Sequence, residues 1–336
     1  MFRYRIVAFL FVAACAMSPQ VVAWEVDVHY VLTCWLAERA GYSRADAQEI
    51  AQADQGMDES EHHAAIPTMV WIILRGDLGA AQDLQDHHFP SGARLPAPPQ
   101  SRVVRPGDQW ARDAVDSAVR IGQAEPSLRK LGEALHPFQD SWSHQGVPDV
   151  PLGLRPELSC AHPVARGGWR SHDADLTYLH EEDAVQQAHE TYKILLEFLT
   201  RYPRFRSHPS RSWVDLERMV REFAKARTRK DKDDWAVKSI DAGPRSLSIG
   251  LTLAGGRENL LGRTIRPRDK SSNPAPPELI DSARKLSETW FRTQNMEAAS
   301  AFVDWSLLAG IESHGGRTVR TLAAERNDQY GIDPFA

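Results

Sequence analysis

Three residues of one short segment have the types and spacing for metal chemistry. In Leu135-His136-Pro137-Phe138-Gln139-Asp140-Ser141-Trp142-Ser143-His144, a histidine, an aspartate and a second histidine recur every fourth position. On a helix turning about 100° per residue they drift only about 80° in total, so all three leave from one face. Two imidazoles and a carboxylate on one stripe suit a borderline transition metal such as zinc. His136 and His144 would lie about 12 Å apart along the axis, a long reach for one ion. The spacing therefore points to more than one metal along the helix. The same pattern also fits an ordinary polar helix face that carries histidines.

Further candidates lie on both sides of this stripe. Asp54 and Asp58 are four apart in a segment with helical spacing, and either could be a ligand or a surface acid. The pair His87-His88 follows a helical stretch and precedes Pro90-Ser91-Gly92, a loop of the kind that often carries function. His172 and Asp175 stand three apart at a predicted helix start, where Ser171 or Asp173 could instead be capping residues. Eleven of the thirteen histidines fall between His29 and His189, which puts the chemistry in the first two thirds of the chain.

The elements that must position these residues read as helices. Apolar spacing predicts helices over 30–39, 45–55 with Ser43 as cap, 109–122, and from Ser127 to about His144. Pro137 should kink the last of these unless the helix is displaced there. A short apolar helix or strand is expected over 67–74, a helix over 173–202, an amphipathic one over 212–227 and a long one over 278–311. The proline-rich stretches 94–107 and 147–168 read as loops, and 263–277 as exposed linker. Strand signals are scarce, so the fold class is all-α.

Residues 1–23 read as a secretory signal. Arg3 and Arg5 form the basic start, the apolar core runs over 6–14, and Val21-Val22-Ala23 supplies small residues for cleavage. Val12-Ala13-Ala14-Cys15 offers a competing lipoprotein reading, with a lipid on Cys15. No later run reaches the roughly 20 apolar residues of a membrane span. Loss of the signal moves the formal charge from −5 to −7, which disfavours wrapping long nucleic acid on a basic face. Cleavage after Ala23 would start the mature chain at Trp24. A free amine with its own carbonyl forms a chelate ring, and His29 follows five residues later. Cys34 and Cys160 would remain, either paired in an oxidising compartment or as two buried thiols.

The order Trp24, His29, an acid in the fifties, His88, His136, Asp140, His144 and His172 with a nearby acid resembles the zinc-dependent phospholipase C and single-strand nuclease superfamily. Leu131-Gly132-Glu133-Ala134-Leu135-His136 and Gln139-Asp140-Ser141-Trp142-Ser143-His144-Gln145-Gly146 look most like its bacterial phospholipase C branch. The resemblance covers about 24–199. It implies a multi-helix fold with a buried trinuclear zinc site. Asp58, His88, His136 and Asp140 would hold one zinc. The Trp24 amine and carbonyl with His29 and Asp140 would hold a second, and His144, His172 and Asp175 a third. The spacings depart from the best-known members, which leaves Asp54 as a rival to Asp58. It likewise leaves His62, His63 and His87 as rivals to His88, and Asp173, His162 and His180 as substitutes in the third site.

The division this implies is a signal over 1–23, a catalytic core over 24–200 and a helical extension over 201–336 packed on the core. The implied activity is an exported phosphodiester hydrolase, a phospholipase C acting on phosphatidylcholine-type lipids at a membrane surface. It would act as a monomer, with three zinc ions, Asp58 as ligand and general base, and no stable nucleic-acid partner. A single-strand nuclease and a non-catalytic zinc-binding exported protein are the alternatives. Trp71, Trp110, Trp142 and Trp169 are either an aromatic platform for substrate or core residues. The basic run over 201–232 is either a solvated face or a contact for anionic headgroups.

Overall fold

The computed structural model describes residues 27–59, 63, 65, 68, 72, 78–120, 126–150, 156–158, 160–168 and 173–239. These residues form helices joined by loops and short 3-10 turns. Their β-pairing is confined to isolated bridges, such as Val104 with Gly146. Among them no helix is long and apolar enough to cross a membrane.

One π-helical turn, Asp27–Leu32, feeds α1 (Thr33–Ala40), which ends at Gly41 in the left-handed region with φ +115°. Helix α2 spans Arg44–Glu59. Its start is fixed by Ser43, whose Oγ accepts from the Asp46 N–H at 3.2 Å and donates to the Asp46 carboxylate at 2.8 Å. Helices α3 (Leu78–His88) and α4 (Gln109–Arg120) follow. Helix α5 is Leu128–Ser143, capped by Ser127 through the Lys130 N–H. Helices α6 (Glu181–Arg201), α7 (Trp213–Lys225, capped by Ser212) and α8 (Arg229–Ser239) complete the described chain.

The main core joins α1, α2, α5, α6 and α7 through Trp35, Leu36, Ile50, Leu135, Phe138, Phe198 and Phe223, all fully buried. Each such side chain contributes roughly 1.5–3 kcal/mol of hydrophobic stabilisation. A smaller core gathers Leu84, Phe89, Val104, Leu158 and Cys160. Helix α3 gives Leu84 to the small core, and α5 gives Leu135 and Phe138 to the large one. The histidines sit where these two helices meet.

The decisive packing contact is between α2 and α5, and it depends on Gly132. A Cβ at that position would lie 2.2 Å from the Ile50 carbonyl oxygen and 2.7 Å from the Ala53 Cβ. Only glycine lets the backbones approach so closely. That approach sets Asp54 and Asp58 opposite His136.

Several expectations shift. Helix α5 runs unbroken through Pro137. The helix expected over 173–202 starts at Glu181, and Asp173–Asp175 is a separate 3-10 turn. The reason is tertiary: Thr177 between them donates to the Ala224 carbonyl at 2.9 Å and accepts from Lys232 Nζ at 2.7 Å. Cys34 and Cys160 are free, buried, and in different cores, which settles them as unpaired thiols. Lys232, the last residue of the basic run, is buried against Asp27 at 3.1 Å rather than solvated. Much of the rest of that run pairs with acids, as Arg221 does with Glu182 and Glu217. Trp142 is a core residue packed edge-on against Phe138, whereas Trp110 is half exposed. Trp71, Trp169, most of 67–74, and the expected segments 263–277 and 278–311 lie outside the described residues, as does the signal region.

Candidate metal centre

Helices α2, α3 and α5 bring Asp54, Asp58, His88, His136 and Asp140 together with the turn that carries His29. His29, Asp54, His88, His136 and Asp140 are all under 4% exposed, and Asp58 at the rim is 23% exposed. Asp140 stands in the middle. Its Oδ1 faces His29 Nε2 at 3.2 Å. Its Oδ2 faces His88 Nδ1 at 3.1 Å and His136 Nε2 at 3.4 Å. Asp58 Oδ1 approaches the same two nitrogens at 3.8 and 3.5 Å. One carboxylate thus presents separate oxygens to two sets of imidazoles.

The histidine tautomers follow from hydrogen-bond chemistry. A carbonyl oxygen only accepts, so any ring nitrogen bonded to one carries a proton, and in the neutral ring its partner nitrogen keeps the lone pair. His29 Nδ1 donates to Gln139 Oε1 at 2.9 Å, which turns Nε2 toward Asp140. His88 Nε2 donates to the His63 main-chain oxygen at 2.7 Å, which turns Nδ1 inward. His144 Nδ1 donates to the His88 main-chain oxygen at 2.6 Å, leaving Nε2 facing Asp175 Oδ1 at 3.3 Å. An outward N–H tied to an oxygen, with the lone pair aimed at the cluster, is the usual support of a metal-binding histidine.

A further layer fixes this support. Gln139 Nε2 donates to Thr33 Oγ1 at 2.9 Å, and Thr33 Oγ1 donates to Asp54 Oδ2 at 2.9 Å. Thr33, Gln139 and Asp54 are fully buried. Asp54 Oδ1 also lies 3.1 Å from His29 Nδ1 and 3.3 Å from His136 Nδ1. Asp54 and Asp58 therefore do not compete for one place. Asp54 backs the histidines from inside and Asp58 meets them from the solvent side.

A second group lies one turn further along α5. His144, His162 and Asp175 have donor atoms within 4.8 Å of one another, with His162 Nε2 at 3.4 Å from Asp175 Oδ2. Asp175 is the buried acid here and Asp173 is exposed. His162 takes part, as one of the substitutes the sequence left open, while His180 stands at the start of α6. Trp24, His62 and His172 lie outside the described residues. His63 and His87 are not in the buried cluster; they gather around Asp83 instead.

The field of the cluster favours positive charge. Burial opposes protonation of His29, yet Asp54 and Asp140 override it and hold its pKa well above the ordinary imidazole value. Burial likewise opposes protonation of His144, and Asp140 with Asp175 lift it to about 9. Burial pushes the Asp140 carboxyl up, but His136 and His144 hold it well below the usual carboxylate range. A cation placed among these groups would take over the role of the imidazole protons.

The donor set fits zinc in its spacing. Tetrahedral ligands about 2.0–2.1 Å from zinc stand about 3.3 Å apart. The inward nitrogens of His88 and His136 are 3.2 Å apart, and both lie within 3.8 Å of Asp58 and Asp140 oxygens. On the far side of the His136 ring, Nδ1 and Asp54 Oδ1 face each other at 3.3 Å without hydrogen-bond geometry.

No family model, no curated protein and no solved structure matches this chain.

Proposed function

We propose that this chain is an exported, zinc-dependent phosphodiester hydrolase of the phospholipase C type, acting on phosphatidylcholine-type lipids at a membrane surface as a monomer. The observation that carries the reading is Asp140, whose two oxygens each face a different imidazole set while a third set lies one turn away. Asp58, His88, His136 and Asp140 would hold one zinc. His29 and Asp140, completed by the amino end of a mature chain starting at Trp24, would hold another. His144 and Asp175, with His162 or His172, would hold a third. When bound, zinc supplies Lewis acidity toward phosphoryl oxygens and lowers the pKa of water at an open coordination position.

The chain's own residues supply the rest. Asp58 combines contact with the cluster and access from solvent, so its carboxylate is the group placed to accept the proton of a water attacking phosphorus. Gln139, itself held by Thr33, keeps His29 from rotating as charge develops. The choice of lipid over single-stranded nucleic acid rests on the wording of the α5 motif and on the acidic balance of the chain.

The test is hydrolysis of phosphatidylcholine and of single-stranded DNA by the purified secreted protein, each with and without chelator. Chelator-sensitive release of phosphocholine supports the reading. Release of nucleotides alone moves the function to the nuclease branch. An Asp58→Asn variant should lose lipid hydrolysis. A wild-type protein that binds zinc and cleaves neither substrate would instead be a zinc-binding protein without catalysis.

A further inference from the structure

A further group of metal-type donors lies outside the centre just described and shares no ligand side chain with it. Asp83 and His87 are one turn apart on α3, and His63 approaches them from the preceding segment. His63 Nδ1 lies 2.9 Å from Asp83 Oδ2, and His87 Nδ1 lies 3.5 Å from Asp83 Oδ1. The two imidazole rings stack at a tilt, 4.1 Å between centroids. Donor atoms of all three residues fall within 4.8 Å of one another. Like the buried histidines, His87 has Nδ1 against a main-chain oxygen, that of Asp83 at 2.8 Å, so its Nε2 keeps the lone pair.

The surroundings differ from those of the buried cluster. The side chains of His63, Asp83 and His87 are 32%, 17% and 28% exposed, so water and ions reach them. His63 and His87 line a groove of about 860 Å³ that also takes Glu49, Asp86 and Glu133 into its walls. Three protein donors beside an open groove leave room for water to complete the coordination of an ion. Two imidazoles with one carboxylate select zinc, copper(II), nickel or cobalt over calcium or magnesium. We propose that His63, Asp83 and His87 form an additional, exchangeable divalent-cation site at the surface, separate from the buried centre and specific for imidazole-preferring ions. The site adjoins the buried one through His63, whose main-chain oxygen is the acceptor that orients His88.

The experiment is a zinc titration of the full secreted chain, its tightly held metal already in place, against a chromophoric chelator. Wild type should take up one further equivalent. His87→Gln and His63→Gln should each weaken that uptake by at least about tenfold, because each removes one of three ligands. Both should keep the tightly held zinc and the helical circular dichroism of wild type, and His208→Gln, at an exposed histidine elsewhere, should titrate like wild type. His63→Gln leaves α3 unaltered and decides the question alone if His87→Gln does not fold. The proposal is overturned if wild type takes up no further equivalent, or if the folded variants take it up as wild type does. Neither result bears on phosphodiester hydrolysis, which the lipid and DNA assays decide separately.

Discussion

Single side chains decide whether the histidines can bind a metal, and the least obvious of them is Gln139. Its amide holds the His29 N–H on one side and the Thr33 hydroxyl on the other. Gln139→Ala should weaken zinc affinity by about 10–100-fold without touching a ligand, as read by chelator competition; an unchanged affinity would remove Gln139 from the support. The cysteines give a second test. Burial pushes Cys160 up to about 11 and Cys34 up to about 12, so neither thiol supplies much nucleophilic thiolate near neutral pH. A thiol reagent at pH 8 should find neither in the native fold and both after denaturation without reductant, whereas two thiols that appear only after reduction would mean a disulfide. At this scale the sequence displayed His136, Asp140 and His144, because ligands on one helix announce themselves by period. Gln139 and Thr33 were hidden, because they become partners only when α1 and α5 meet, 106 residues apart in the chain. Asp54 and Asp58 looked like rivals for the same reason: their common spacing says that they share a face, not that His136 lies between them.

Helices place these side chains, and the α2–α5 crossing is the element on which the centre depends. Gly132→Ala would drive a methyl group into the Ile50 carbonyl. It should cost at least about 1–3 kcal/mol in urea denaturation, the range for forced overpacking, and should lower zinc content by moving Asp54 and Asp58 away from His136. A neutral or stabilising result, as helix propensity alone would give, would contradict the close crossing. The helices themselves were legible wherever apolar spacing coincided with a capping residue, as at Ser43, Ser127 and Ser212. The start of α6 was not. Thr177 is taken by Ala224 and Lys232, and these bonds exist only once α7 and α8 have packed. Helix α5 continues through Pro137 to Ser143, so the proline does not end it.

At the scale of the whole molecule, residues 201–239 are tied to residues 27–39. Phe223 and Trp235 join the main core, and Trp35 Nε1 donates to the Ser239 carbonyl at 3.2 Å. Lys232 pairs with Asp27, two residues before His29, and lies over the Phe223 ring at 3.6 Å. Burial pulls the Lys232 pKa down and pushes that of Asp27 up, with each charge partly relieving the other. Lys232→Met should therefore cost about 3–5 kcal/mol by leaving the largely buried Asp27 without its cation, and adding Asp27→Asn should recover much of it. A loss below about 1 kcal/mol in urea denaturation would show the pair to be incidental. The all-helical class was readable from composition and period. The tie between residues 27 and 232 was not, since a basic run resembles a solvated face until its last lysine is seen to be buried. The proposed metal centre requires one carboxylate to serve two metals, and zinc counting by mass spectrometry on Asp140→Asn and Asp58→Asn tests that most directly. Asp140→Asn should lose two equivalents of tightly held zinc relative to wild type and Asp58→Asn one; equal losses, or no loss from Asp140→Asn, would contradict it.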